Sequence, residues 1–266
     1  MKFLDSIKEE LDHNGYSIVP NIITQDEITE YKDEFYKWHN SNIGTGILSH
    51  YQVGHQRFAW LLRTNKKVQH IFNYLWNTDD LVTGFDGCCY IKKEATNADH
   101  NWTHIDQTSN SNNYNYQSFV SLTSNKERTF VIYEGSNRLF KEYFAQKDIN
   151  PDKIGHHIDK NFLEEIKHTR KAVEVKAGDM VIWDSRTFHQ NQYGQADSEE
   201  RLVQYISFMP RANDIEHDKR LQYFNELRTT SHWAYPMTSK GFNPNIDNKL
   251  SKPRLDDLLD KIKKIL

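Results

Sequence analysis

Apolar positions recur at helical spacing near the start of the chain. Phe3, Leu4, Ile7 and Leu11 share one face, and "HNG" closes the run with an Asn-Gly stop. "YSIVP" then has the texture of a short strand ended by Pro20. The stretch "TQDEITEYKDEFYKWHN" opens on Thr24 with Glu27 three residues later. That pairing lets each side chain reach the other's backbone amide, so it predicts a helix running to about Asn40. A further helix is expected from Thr64 to Trp76, where Val68, Ile71, Phe72 and Leu75 line one side.

From about residue 80 the period changes. "DLVTGFDGCCYIKK", "NWTHIDQ", "YQSFVSLT", "RTFVIYE", "KAVEVK", "DMVIWDS" and "RLVQYISFM" are short β-branched or aromatic runs, many separated by Gly, Asn and Asp. A helical insert is expected over 138–168, broken by Asn150-Pro151, and the chain after Pro210 turns helical and charged again. Helices, then seven or more strands, then helices predict a mainly β fold with flanking helices. The core expected is a cupin-like double-stranded β-helix, or jelly roll, over about 80–211, with helical buttresses at 1–79 and 212–266. No internal repeat or low-complexity tract argues for dividing 1–266 into more than one domain.

Composition narrows the function classes. The chain has 266 residues with 34 basic against 37 acidic, formally −3, so no basic excess points to nucleic acid. Mean hydropathy is low at −0.83, yet 13% of residues are aromatic, which disfavours disorder. The two cysteines, Cys88 and Cys89, are adjacent and cannot staple distant segments, so a reducing compartment is expected. Charged residues interrupt the N-terminal run where a signal peptide would be apolar, and no stretch reaches the roughly 20 apolar residues of a membrane span. A cytoplasmic protein is expected, acting on a small molecule, with monomer or homodimer left open.

The chemistry concentrates in "NWTHIDQTSN". His104 and Asp106 share strand parity, so an imidazole and a carboxylate project from the same face. His189, after "AGDMVIWDSRTF", is the favoured third ligand from a neighbouring strand; His156 and His157 are rivals, read as exposed in a polar loop. Two imidazoles and one carboxylate on one face leave coordination positions open, the usual set for non-haem Fe(II) that activates oxygen. Arg201, twelve residues on, begins a strand expected to return beside the one carrying His189. It is suited to grip the distal carboxylate of a 2-oxo diacid in a two-bond fork; the rival reading is a surface pair with Glu199 or Glu200.

In order, H-x-D, a Gly-Ser turn, Gly-Asp, His and Arg resemble the phytanoyl-CoA dioxygenase-like family of Fe(II)/2-oxoglutarate-dependent oxygenases. The likeness runs from "NGYSIVPNIITQDEI" through "FVIYEGSNRLF" to Arg201, about residues 14–211. It implies that His104, Asp106 and His189 bind Fe(2+), that Arg201 holds the co-substrate 2-oxoglutarate, and that Asn191 lies near it. O2 would be consumed and succinate and CO2 released, with a small or lipid-like substrate hydroxylated. Asp106 fills the place that related halogenases leave for halide, which favours hydroxylation. The chain departs from the family at "EGSN", at "NKERTF" and in the polar tract "TSNSNNYNYQ". Two other functions stay open, an inactive jelly-roll binding protein and an oxygenase of protein side chains.

Several residues carry two readings. Trp102 either walls the pocket or packs in the core; Gln107 and Gln117 either touch substrate or co-substrate or sit on the rim. Trp183, Ser185 and Thr187 share parity with His189 and mix core with pocket. Lys92 and Lys93 either meet an anionic substrate or end a solvated strand. The terminal "LDDLLDKIKKIL" either dimerises or packs on its own domain.

Overall fold

A computed structural model describes residues 2–39, 43–107, 115–145, 155–212, 216–247 and 249–266. The chain opens with α1 (Lys2–Asn14), β1 (Tyr16–Val19), α2 (Gln25–Trp38), β2 (Gly46–Leu48), α3 (Arg57–Arg63) and α4 (Lys66–Trp76). Strands β3 (Leu81–Thr83), β4 (Cys88–Ile91), β5 (His104–Ile105), β6 (Tyr116–Ser121) and β7 (Asn125–Tyr133) follow. Next come α5 (Phe140–Ala145), β8 (His156–His157) and α6 (Lys160–Glu165). Then β9 (Arg170–Val175), β10 (Met180–Asp184), β11 (His189–Asn191) and β12 (Arg201–Pro210) complete the strands. Three helices close the chain, α7 (His217–Asn225), α8 (Pro244–Asp247) and α9 (Leu259–Lys263).

The expected N-terminal helices form. Thr24 and Glu27 make both bonds of the reciprocal cap on α2, and Asn65 caps α4 through the Lys67 amide. Among its described residues the insert is not continuously helical. Its described parts are two short helices around β8, and the Asn150-Pro151 break lies outside the described residues, as does most of "TSNSNNYNYQ".

The strands pair antiparallel in two sheets. One runs β1-β10-β6-β12-β4-β2 with β3 on β12, the other β8-β5-β11-β7-β9. Parity on the central strands explains their unbroken apolar character, since both faces are covered. On β6 and β12, Val120, Leu202, Ile206 and Phe208 face a core shared with Phe35, Phe58 and Phe72 of the helices. Phe119 and Val203 point the other way, into a second core with Phe130, Ile132 and Val173 of the smaller sheet. The sheets therefore face each other across an apolar interior. Leu258, Ile262, Ile265 and Leu266 are buried in the helix-side core, so the terminal amphipathic segment packs on its own chain. No helix among the described residues is long and apolar enough to cross a membrane.

Two expectations need correction. His156 is buried and pairs with Ile105 at the edge of the smaller sheet, because apolar Phe144 and the β5 ladder cover it. And β12 does not lie beside β11. It pairs with β4, β6 and β3, so Arg201 enters the interior from the sheet opposite His189.

Candidate metal centre

The site begins with one rung of the small sheet. His189 is directly opposite His104 across the β5–β11 ladder, and their rings lie 4.5 Å apart. Asp106, just past β5, brings Oδ1 to 3.5 Å from His104 Nε2 and Oδ2 to 3.3 Å from His189 Nε2. Among the described residues these three form the group whose possible metal-binding atoms all lie within 4.8 Å of one another. Donors about 2.1 Å from a shared ion and at right angles would be about 3 Å apart, so the spacing suits a common ion.

Each imidazole is oriented from behind. His189 Nδ1 lies 2.8 Å from the Thr187 carbonyl, and His104 Nδ1 lies 3.3 Å from the Trp102 carbonyl. A carbonyl only accepts, so each Nδ1 carries the proton and each Nε2 turns a lone pair toward Asp106. Burial pushes His104 down to about 4 against the pull of Asp106, leaving the ring neutral at physiological pH. Burial also raises the Asp106 carboxyl, but His232, His104 and His189 outweigh it and hold the group well below the usual range. Gln117 Nε2 donates to Asp106 Oδ2 at 3.0 Å, and Trp233 Nε1 donates to its main-chain carbonyl at 3.2 Å. A neutral His104 ring and an ionised, braced carboxylate are the protonation states a divalent metal requires of them.

Behind the triad, Gln117 and Phe119 share the inner face of β6. Two residues of strand span about 7 Å, and Phe119 carries the Arg201 guanidinium 5.5 Å above its ring. Arg201 is 1% exposed, and neither terminal nitrogen has a hydrogen-bond partner among the described residues. It does not pair with Glu199, which caps the amides of 126–128, or with Glu200, which takes Tyr36 and Lys32. An interior cation without an anion is costly, and this one lies over Phe119 in the core between the two sheets. Asn191 donates through Nδ2 to the Tyr205 hydroxyl at 2.8 Å, while its Oδ1 is buried and unpartnered among the described residues.

His104, Asp106, Gln117, His189 and Asn191 line a cavity of about 140 Å³ together with Trp102, Phe130, Trp183, Asp86, Ile47 and His232. Trp102 stacks on His104 at 4.9 Å and donates through Nε1 to the Asn191 carbonyl, so it walls the cavity. Gln107 does not line it; it accepts from Ser185. Thr187 is held by the Gly15 carbonyl. Lys92 and Lys93 are exposed outside the cavity, their carbonyls taken by Arg128. Cys88 faces the helix-side core and Cys89 the interior.

Sequence reasoning missed Asp86, Tyr205 and His232. Tyr205 shares parity with Arg201 and was findable by that rule. His232 sits in "TSHWAY", a segment read as part of a helical buttress, and nothing local marks it.

No family model matches the chain. It is 26% identical to the Ava biosynthesis cluster protein O of Aspergillus versicolor, covering 77% of each chain. In fold it is similar to the GlcNAc Inducible Gene 2 protein of Candida albicans, with a TM-score of 0.75 and 14% identity over 98% of this chain and 75% of that one. It is also similar to the epimerase SnoN in complex with Fe3+, alpha ketoglutarate and nogalamycin RO, with a TM-score of 0.58 and 19% identity over 92% of this chain and 97% of that one. The protein thus shares its mostly antiparallel two-sheet fold with these structures, and the SnoN structure holds Fe3+ and alpha ketoglutarate.

Proposed function

We propose that the protein is a non-haem Fe(II)- and 2-oxoglutarate-dependent oxygenase that hydroxylates a small organic molecule, with succinate and CO2 as co-products. The observation that carries this is the pairing of a braced His-Asp-His set with a buried Arg201 whose terminal nitrogens have no hydrogen-bond partner among the described residues. A metal site alone needs no interior arginine, and a binding module needs neither. The strand order supports a jelly-roll reading. β4, β6, β10 and β12 belong to one sheet and β5, β7, β9 and β11 to the other, the alternation a folded-over double strand produces. Helices from both ends of the chain share one core with the larger sheet, which supports one domain over 1–266.

In this reading His104, Asp106 and His189 hold the ion, and Arg201 takes the far carboxylate of 2-oxoglutarate by two parallel bonds. Iron with 2-oxoglutarate and O2 supplies the oxidising chemistry when bound. The chain's own part is orientation and exclusion of water. Gln117 braces the carboxylate and Trp233 the main chain of Asp106, Trp102 covers one face of His104, and Phe130 and Trp183 keep the interior apolar. The carboxylate of Asp106 would take the coordination place that a halide needs, which favours hydroxylation over halogenation.

The test is Fe(II)-dependent conversion of 2-oxoglutarate to succinate, with Asp106→Ala as control. Succinate release lost in that variant and restored in wild type by Fe(II) alone is the expected result. Equal release from both proteins would reject the assignment.

A further inference from the structure

The cavity has a second wall that neither the ion nor 2-oxoglutarate requires, made by Asp86, His232, Ile47 and Trp102. Building on the oxygenase reading, we propose that this wall is the substrate site. It takes a molecule with an apolar frame and a hydrogen-bond-donating hydroxyl or amine, which Asp86 receives.

Asp86 lies in the "GFDG" turn between β3 and β4. Its backbone is fixed, because Arg63 and Gln204 donate to its carbonyl at 2.7 and 3.2 Å. Carboxylate Oδ1 accepts from the Gly87 amide at 2.7 Å. Oδ2 has no hydrogen bond among the described residues, and the side chain lines the cavity. An ionised carboxylate only accepts, and one withdrawn from water gains most from a donor. The titratable neighbours are His232, Arg63 from behind, and Asp106. Arg63 is fully buried and bonded to main-chain carbonyls of Gly54 and Asp86, so it is not open to a ligand. Among the described residues, no lysine or arginine lines the cavity. An anionic substrate would therefore meet two carboxylates and only an imidazole in return.

The frame has its own seat. Ile47 on β2 is 54% exposed at the cavity's edge, one of few large apolar side chains among the described residues left so open. Trp102, stacked on His104, continues the apolar surface to the candidate metal. A donor held at Asp86 and a frame laid across Ile47 and Trp102 would place a carbon of that frame beside the triad.

Asp86→Asn separates this role from a turn-forming one, because an asparagine oxygen still accepts from Gly87 while the charge is gone. Three probes with one ring, cyclohexylamine, cyclohexanol and cyclohexanecarboxylate, are titrated by saturation-transfer NMR against protein supplied with Zn(II) and 2-oxoglutarate. The amine and alcohol should bind wild type and the carboxylate should not. Asp86→Asn should weaken the amine ten- to hundredfold, the effect of losing a charged hydrogen bond. Equal amine binding in the variant, carboxylate binding as tight as the amine, or no binding of either donor probe would overturn the proposal. Visible charge-transfer absorption on anaerobic addition of Fe(II) and 2-oxoglutarate reports the oxygenase reading separately, with or without Asp86.

Discussion

Replacing Arg201 with methionine should have opposite effects on folding and on co-substrate binding. Without ligand, the guanidinium is withdrawn from water with both terminal nitrogens unpartnered among the described residues and only the Phe119 ring as a favourable contact. Buried unsatisfied polar groups cost about 1–3 kcal/mol each, while a cation over an aromatic ring returns about 1–2 kcal/mol. Methionine fills similar length with no donor to satisfy, so the metal-free protein should be unchanged or more stable by up to about 2 kcal/mol. Binding moves the other way. Two charge-assisted bonds to the distal carboxylate, about 1.5–3 kcal/mol each, would be lost, and the dissociation constant for 2-oxoglutarate should rise about a hundred- to ten-thousandfold. Urea unfolding of metal-free protein gives the first quantity, and anaerobic calorimetric titration of the metal-loaded protein gives the second. A variant destabilised by several kcal/mol that binds 2-oxoglutarate normally would show that Arg201 is a structural residue.

Two further outcomes follow from the same geometry. Gln117→Leu removes the amide that braces Asp106 Oδ2 and should weaken iron binding about ten- to hundredfold, read by competition with a chelator; unchanged affinity would mean that the carboxylate is held without it. His55 is buried and driven down to about 3, by burial first and Arg63 second. Its unfolded form takes up a proton near pH 6.5, so the stability it contributes is complete above that and lost as pH falls. The loss should reach about 2 kcal/mol at pH 5, and His55→Gln should flatten this part of the urea-unfolding profile. An unchanged slope would place the titration elsewhere.

Much of the architecture was legible locally. Helical spacing and the Thr24–Glu27 cap predict α2, and side-chain alternation places His104 and Asp106 on one face before any partner strand is known. The resemblance of the ordered motifs pointed to His189 and Arg201. The insert was harder to read. Its polar stretch looked like an exposed loop, yet His156 is buried because a strand formed elsewhere accepts it as an edge partner. The segment after Pro210 was read as helical, yet residues between α7 and α8 deliver His232 and Trp233 to Asp106.

Alternation along a strand, helical period and capping are properties of a few consecutive residues, set by backbone geometry, and the sequence by itself determined them here. It also determined the chemical types available, two imidazoles, a carboxylate and a guanidinium in order. Pairing between strands is a contest among long-range contacts, and only the tertiary structure decided that Arg201 approaches from the opposite sheet. It alone set Asp86 and His232 together against the triad, because loops without periodicity carry no local signal of where their side chains will point.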